Sequence, residues 1–146
     1  VKPSEVPSAP RRQTQFAQGP VPVSSGGFTF PMRGAIMQYF SWFHPGVDIA
    51  TTHGTPIYAA HNGTVTRVSI GSYDGGYGTN IWVSNGNGIE SHYAHLSGVN
   101  VSVGQKVTGG QTVVGLEGST GRSTGPHLHF EIRANGGLVN PLGYVQ

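Results

Sequence analysis

The sequence predicts a mainly β domain, an antiparallel sheet folded on itself with little helix, and three observations predict it. The chain of 146 residues carries 24 glycines and 10 prolines, a mixture that suits short strands and tight turns. Charged residues make up 10%, well below the roughly 25% of an average soluble domain. No stretch combines several turns of good helix formers with an apolar stripe.

The elements follow in order. Residues 1–27 are rich in Pro, Ser and Gln, and their apolar residues show no period. They read as a linker or N-terminal arm, or equally as a trailing tail. The texture changes at Phe28, so 28–146 is expected to be one domain. Pro45 and Gly46 argue against a helix and for a turn into a short strand, Val47–Ala50. Strands are expected at Thr55–Ala59, Gly63–Ile70 and Asn80–Ser84, with a Tyr- and Gly-rich loop over 71–78. Asn85-Gly86-Asn87-Gly88 is a hairpin signal, and Ile89–Leu96 returns as its partner strand. Val113–Glu117 and His127–Arg133 complete the set. Gly104-Gln-Lys-Val107 and Gly110-Gln-Thr-Val113 echo each other as two turns at sheet corners, too briefly for a repeat.

Composition also excludes. There are no cysteines, hence no disulfide framework and no thiolate metal site. The formal charge is +2 with scattered basic residues, which gives no nucleic-acid footprint. A weak positive balance could favour an anionic polymer. No apolar run approaches the roughly 18 residues of a membrane span. No signal peptide is visible at Val1, so a mature form or an excised fragment is expected.

Seven histidines in so charge-poor a chain call for a chemical reason. In His127-Leu-His129, strand alternation puts His127, His129, Glu131 and Arg133 on one face and Leu128, Phe130 and Ile132 on the other. The two imidazoles then lie roughly 7 Å apart, placed as two ligands or as a ligand and a catalytic partner. His44-Pro-Gly-Val-Asp48 offers an imidazole and a carboxylate that converge if the turn folds back, and both suit Zn²⁺. In Ser91-His-Tyr-Ala-His-Leu96, alternation puts Ser91, Tyr93 and His95 on one face and His92 on the other. Taken singly, each element also reads as ordinary polar structure. Together they supply two imidazoles and one carboxylate with a position left open, the donor set of catalytic zinc.

These motifs resemble the lysostaphin- or LytM-type zinc metallopeptidases, family M23. The matching stretches are His44–Ala50, Gly54–Ala59, Asn62–Val65, Tyr93–Ser97, Val103–Val107, Gly118–Gly121, Ser123–Glu131 and Asn140-Pro141, in family order from Phe28 to about Tyr144. The resemblance implies an open sandwich or partial barrel with a surface groove and long flanking loops. It implies one Zn²⁺ on His44, Asp48 and His129, with His95 and His127 as a catalytic pair that does not bind metal. Gly78-Thr79 and Asn85 depart from the family pattern at positions that are not ligands. Tyr73, Tyr77, Tyr39 and Trp42 are expected in loops beside the groove, and Tyr73, Tyr77 and Thr124 are candidate substrate contacts. His53, His61 and His92 match no functional position and are expected at the surface or in structural roles.

The activity so implied is hydrolysis of peptide bonds in bacterial peptidoglycan, outside the cytoplasm, by a monomer without a membrane span. A non-catalytic wall-binding or hydrolase-activating module is the alternative. A lipoyl- or biotinyl-type carrier is disfavoured, because Lys2 and Lys106 do not sit at a suitable hairpin tip.

Overall fold

The computed structural model describes residues 27–123 and 125–145. The expected arm, apart from Gly27, and Thr124 lie outside the described residues. Eleven strands occur among those described: β1 (Ala35–Gln38), β2 (Val47–Ala50), β3 (Pro56–Tyr58), β4 (Gly63–Ser69), β5 (Asn80–Ser84), β6 (Ile89–Ala94), β7 (Leu96–Val99), β8 (Lys106–Val107), β9 (Val113–Glu117), β10 (Leu128–Ala134) and β11 (Gly137–Val139). Single 3₁₀ turns at Asp74–Gly76 and Pro141–Gly143 are the only helical elements described.

The strands form two antiparallel sheets and no closed barrel. The larger runs β1-β2-β10-β6-β5-β4-β8, with β11 also on β10, and the smaller runs β3-β9-β7. The larger sheet turns its apolar positions inward: Val47 and Ile49 from β2, Ile81 and Val83 from β5, Tyr93 from β6, and Leu128, Phe130 and Ile132 from β10. Ile57, Leu96 and Val114 cover them from the smaller sheet. This is an open, mainly β sandwich.

One strand boundary departs from the pattern. Ile89–Leu96 is not continuous: β6 ends at Ala94, β7 begins at Leu96, and His95 between them has φ +63°. Simple alternation would send His95 to the Tyr93 side, which is the core. The left-handed residue breaks the alternation and the chain crosses to the second sheet. A non-glycine residue with positive φ persists only where its surroundings hold it. Here His95 N donates to Tyr77 O at 2.9 Å and Leu96 N to Thr79 O at 3.0 Å. The Thr120 hydroxyl donates to Leu96 O at 2.7 Å.

Those bonds come from two loops, 70–79 and 118–127, that touch through glycine. A Cβ on Gly78, whose φ is +68°, would lie 2.5 Å from Gly121 N. Side chains have no room in this contact, so only glycine permits it.

The core also contains an ordered polar chain. The Nδ1 of His61 lies 2.8 Å from Asn62 O, a carbonyl, and so carries the proton. Nε2 is then the acceptor, 2.8 Å from Ser91 Oγ. Ser91 Oγ in turn accepts from the Tyr93 hydroxyl at 2.8 Å, and Tyr93 Oη accepts from Ala60 N at 2.9 Å. Every donor has an acceptor only while His61 is neutral. His61 is thus structural, as expected.

Two predictions follow from this packing. Gly78→Ala should lower the unfolding free energy by at least about 1 kcal/mol, from strained backbone and the blocked loop contact; an unchanged denaturation midpoint would refute it. Burial holds the His61 pKa below 6.5. The folded protein therefore binds fewer protons than the unfolded chain at acid pH. The stability this confers is complete above about pH 6.5 and is lost progressively as the pH falls below that value toward the lower folded-state pKa. His61→Leu should flatten the fall of Tm between about pH 7 and pH 5; an equally steep fall in the variant would count against this role.

Candidate metal centre

The register of three strands builds the cluster. His129 of β10 lies opposite Asp48 of β2 on one side and Ala94 of β6 on the other. Directly paired residues share a face, so His129 and Asp48 meet on the face opposite the core. His44 joins them from the turn before β2, which Ser41 and His44 close by reciprocal backbone bonds of 3.0 and 3.2 Å. Between them, a Cβ on Gly46 would lie 2.3 Å from Phe130 O. Glycine therefore lets this turn lie flat against β10.

His44, Asp48 and His129 each offer a ligand atom, and the three atoms lie within 4.8 Å of one another. His44 Nε2 is 3.1 Å from Asp48 Oδ2, and His129 Nδ1 is 2.7 Å from Asp48 Oδ1. The far nitrogen of each ring is anchored: His44 Nδ1 donates to Gly46 O at 2.7 Å and His129 Nε2 to Glu131 Oε2 at 2.9 Å. Imidazoles that hold a metal nearly always give their other N–H to such an acceptor. The donor set and its anchoring therefore fit a cation that takes N and O ligands, and zinc among them.

The other two predicted histidines lie against the same cluster. The His95 ring is 4.7 Å from that of His127 and 5.9 Å from that of His129, centroid to centroid. His127 sits just before β10, in a single bridge to Gly118, with Nε2 3.9 Å from Asp48 Oδ2. His95 Nδ1 donates to Thr120 O at 2.7 Å, and His127 Nδ1 lies 3.1 Å from Gly125 O. A carbonyl can only accept. Both rings are thereby set in the tautomer that leaves Nε2 free as a base.

Beneath the cluster lies a group to which the sequence reading gave no role. Glu131 is fully buried. It accepts from His129, from the Tyr77 hydroxyl at 2.8 Å and from Arg133 Nη2 at 3.2 Å. His92 is also fully buried, with its ring stacked 3.9 Å from that of Trp82. The Asn80 amide nitrogen donates to Gly78 O and Asp74, so Asn80 Oδ1 faces His92 Nε2 as an acceptor, at 2.8 Å. His92 Nε2 therefore carries the proton, and Nδ1 merely approaches Glu131 Oε1 at 3.4 Å, beyond a good hydrogen bond. The structural expectation for His92 holds, and its ring helps wall in Glu131. Only the position of Glu131 on the His129 face could have hinted at this carboxylate.

Charge follows the contacts. Burial opposes ionisation of Asp48, but the His129 bond and the imidazoles of His44 and His127 outweigh it and hold its carboxyl below the usual range. Burial likewise opposes charge on Glu131, and bonds from His129 and its other partners hold it far below that range. His129 is desolvated too, yet its two carboxylate partners raise it to about 9. His95 has no such partner, so burial, aided by the nearby imidazoles, pushes it down to about 4 and keeps it neutral. Burial and the Glu131 contact raise Tyr77 to about 12.

The remaining candidates sit at different depths. Tyr77 is half-buried, its hydroxyl is committed to Glu131, and its ring packs edge-on to His92. Tyr73 is exposed, and its hydroxyl accepts from Arg122 Nε at 3.3 Å. Tyr39 is exposed, and Trp42 and its neighbour Phe43, in the turn that carries His44, are 98% and 95% exposed. His53 is at the surface.

Known proteins resemble this chain in sequence and fold. Residues 42–141 match the model of Peptidase family M23. The chain is 48% identical over 99 residues to the DD-carboxypeptidase/endopeptidase Mpg of Neisseria meningitidis, a match covering 68% of this chain and 22% of that protein. It is 41% identical over 93 residues to the glycyl-glycine endopeptidase ALE-1 of Staphylococcus capitis, covering 63% of this chain and 25% of that protein. A zinc-containing peptidase from Vibrio cholerae superposes with a TM-score of 0.72 at 31% identity, over 78% of this chain and 39% of that one. The chain thus spans about a quarter or less of the relatives' length. The family match extends from Trp42, beside His44, past β10 to Pro141 and takes in the whole cluster: the chain belongs to peptidase family M23.

Proposed function

We propose that residues 28–146 form a zinc-dependent endopeptidase unit that hydrolyses peptide bonds of bacterial peptidoglycan outside the cytoplasm, as a monomer, with residues 1–27 as a linker or N-terminal arm. His44, Asp48 and His129 are its metal ligands, and His95 and His127 its catalytic pair. One observation carries this reading: two imidazole nitrogens and a carboxylate converge within 4.8 Å, with each ring's other nitrogen already given to an acceptor. The family relatives support the reaction class, since Mpg and ALE-1 are named endopeptidases.

When bound, zinc supplies Lewis acidity toward water and a peptide carbonyl. The chain's own residues do the rest. Asp48 lies between His44 and His129 and brings the negative charge that a dication needs in a half-buried site. In His95 and His127 a backbone carbonyl takes the Nδ1 proton, so in the neutral ring Nε2 is the basic nitrogen. One such nitrogen can take the proton of the attacking water, and the departing amine takes a proton back. Two carbonyl-anchored rings 4.7 Å apart suit that exchange without large movement. Tyr73, Tyr39 and Trp42, which are exposed, and Tyr77 and Thr124 are the candidate contacts for an extended peptide.

Purified protein supplied with zinc should release free amines from isolated sacculi, and a chelator should stop the release. Asp48→Ala and His129→Ala should lose both bound zinc and activity. His95→Ala should keep zinc near one equivalent while activity falls by about 10²-fold or more, the usual scale for a lost general acid or base. An active His95→Ala variant would remove that residue from the pair. Tight binding to sacculi with zinc present and no amine released would favour the non-catalytic module instead.

A further inference from the structure

We infer that Glu131 is a positioning residue for the metal centre: it fixes the His129 ring so that Nδ1, and not Nε2, is the nitrogen offered to the cation. The inference rests on the reading of His44, Asp48 and His129 as ligands and deepens it.

An imidazole on a strand can turn about its Cβ–Cγ bond and present a different edge. Which nitrogen serves a metal is set by the partner of the other. For His44 that partner is Gly46 O, which takes Nδ1–H and leaves Nε2 toward Asp48. His129 is arranged the opposite way. Nε2 is on Glu131 Oε2 at 2.9 Å and Nδ1 is toward Asp48. The two proposed ligand rings therefore use opposite nitrogens, and the difference originates at Glu131.

The carboxylate is itself held. Tyr77 donates to the same oxygen, Oε2, at 2.8 Å, and Arg133 Nη2 to Oε1 at 3.2 Å. The Arg133 guanidinium lies 5.2 Å from the centre of the Trp82 ring, which stacks on His92. On the other side, a Cβ at Gly46 would come within 3.0 Å of Glu131 Cγ, so the backbone of the His44 turn closes off that direction. Ring, hydroxyl, guanidinium and glycine together leave Glu131 one place to sit. A full negative charge there also makes a stronger acceptor than the carbonyls that anchor His44, His95 and His127. It strengthens His129 as a donor to a cation.

The test uses the whole chain loaded with zinc. Nitrogen-15 NMR of the histidines should show His129 coordinated through Nδ1 and protonated at Nε2. Zinc competition against a chromophoric chelator should give a dissociation constant raised about 10- to 100-fold in Glu131→Gln, the usual scale for loss of such a partner. Glu131→Leu should lose more, because Gln keeps an acceptor oxygen and Leu keeps none. Coordination of His129 through Nε2 in the wild type, or a Gln variant that binds zinc as tightly as the wild type, would overturn the inference and leave the ligand set standing. A wild-type protein that takes up no zinc would overturn both. The wild-type spectrum decides the matter even if the Leu variant does not fold.

Discussion

The cluster depends on the register in which β10 lies between β2 and β6. His129 stands opposite Asp48, Glu131 opposite His92, and Phe130 opposite both Val47 and Tyr93. Because the side-chain period of a strand is two, a slip of one residue would turn His129 and Glu131 into the core and Phe130 out of it. The apolar face forbids that slip. Leu128, Phe130 and Ile132 are fully buried against Ile49, Val47 and their neighbours, and exposing one such side chain costs about 1.5–3 kcal/mol. The hydrophobic core thus sets the alignment of the polar site, although it touches none of the functional atoms.

The other requirement is to keep charge in a face so little exposed. The chain has only six acidic residues, and two of those described, Glu117 and Glu131, are fully buried. A buried carboxylate is costly unless donors surround it. Glu131 meets that condition with an imidazole, a phenol and a guanidinium, and, after Asp48, it helps hold His129 well above the ordinary histidine range against burial. Asp48 receives its support from imidazoles alone, which leaves it responsive to whatever occupies the cluster.

Much of this was legible in the sequence, and the parts that were not share a cause. Alternation in His127–Arg133 gave the correct face for His129 and Glu131, and the Val47–Ala50 strand gave the correct face for Asp48. Both strands pack on one side only, so period two survives. The same rule failed at His95, because one residue in the left-handed region resets the alternation, and the two loops that impose that conformation lie far from it in sequence. It also failed to single out Glu131. A Glu on a strand face that carries histidines reads as solvated, and only the cross-strand neighbours His92 and Trp82, with Tyr77 above, show that it is enclosed. Tyr77, a candidate substrate contact in a polar and glycine-rich loop, turns its hydroxyl inward to Glu131, which its loop composition did not reveal.

The four site histidines differ in what anchors them, and the difference singles out His129. His44, His95 and His127 rest on backbone carbonyls supplied by turns or loops, Gly46, Thr120 and Gly125. A carbonyl fixes the tautomer without adding a net charge, so His95 stays neutral in a buried place. For His95 that would suit the proposed gain and loss of a proton. His129 rests instead on a carboxylate in the middle of the sheet. An anion there would be a poor neighbour for a ring that must shed protons, because it stabilises the imidazolium. It is a good neighbour for a ring that holds a cation, because a dication in the proton's place meets the same field. The anchor chemistry therefore sets His129 apart from the other three rings on physical grounds, independently of any sequence motif, while His44 differs from His95 and His127 by the 3.1 Å approach of its Nε2 to Asp48.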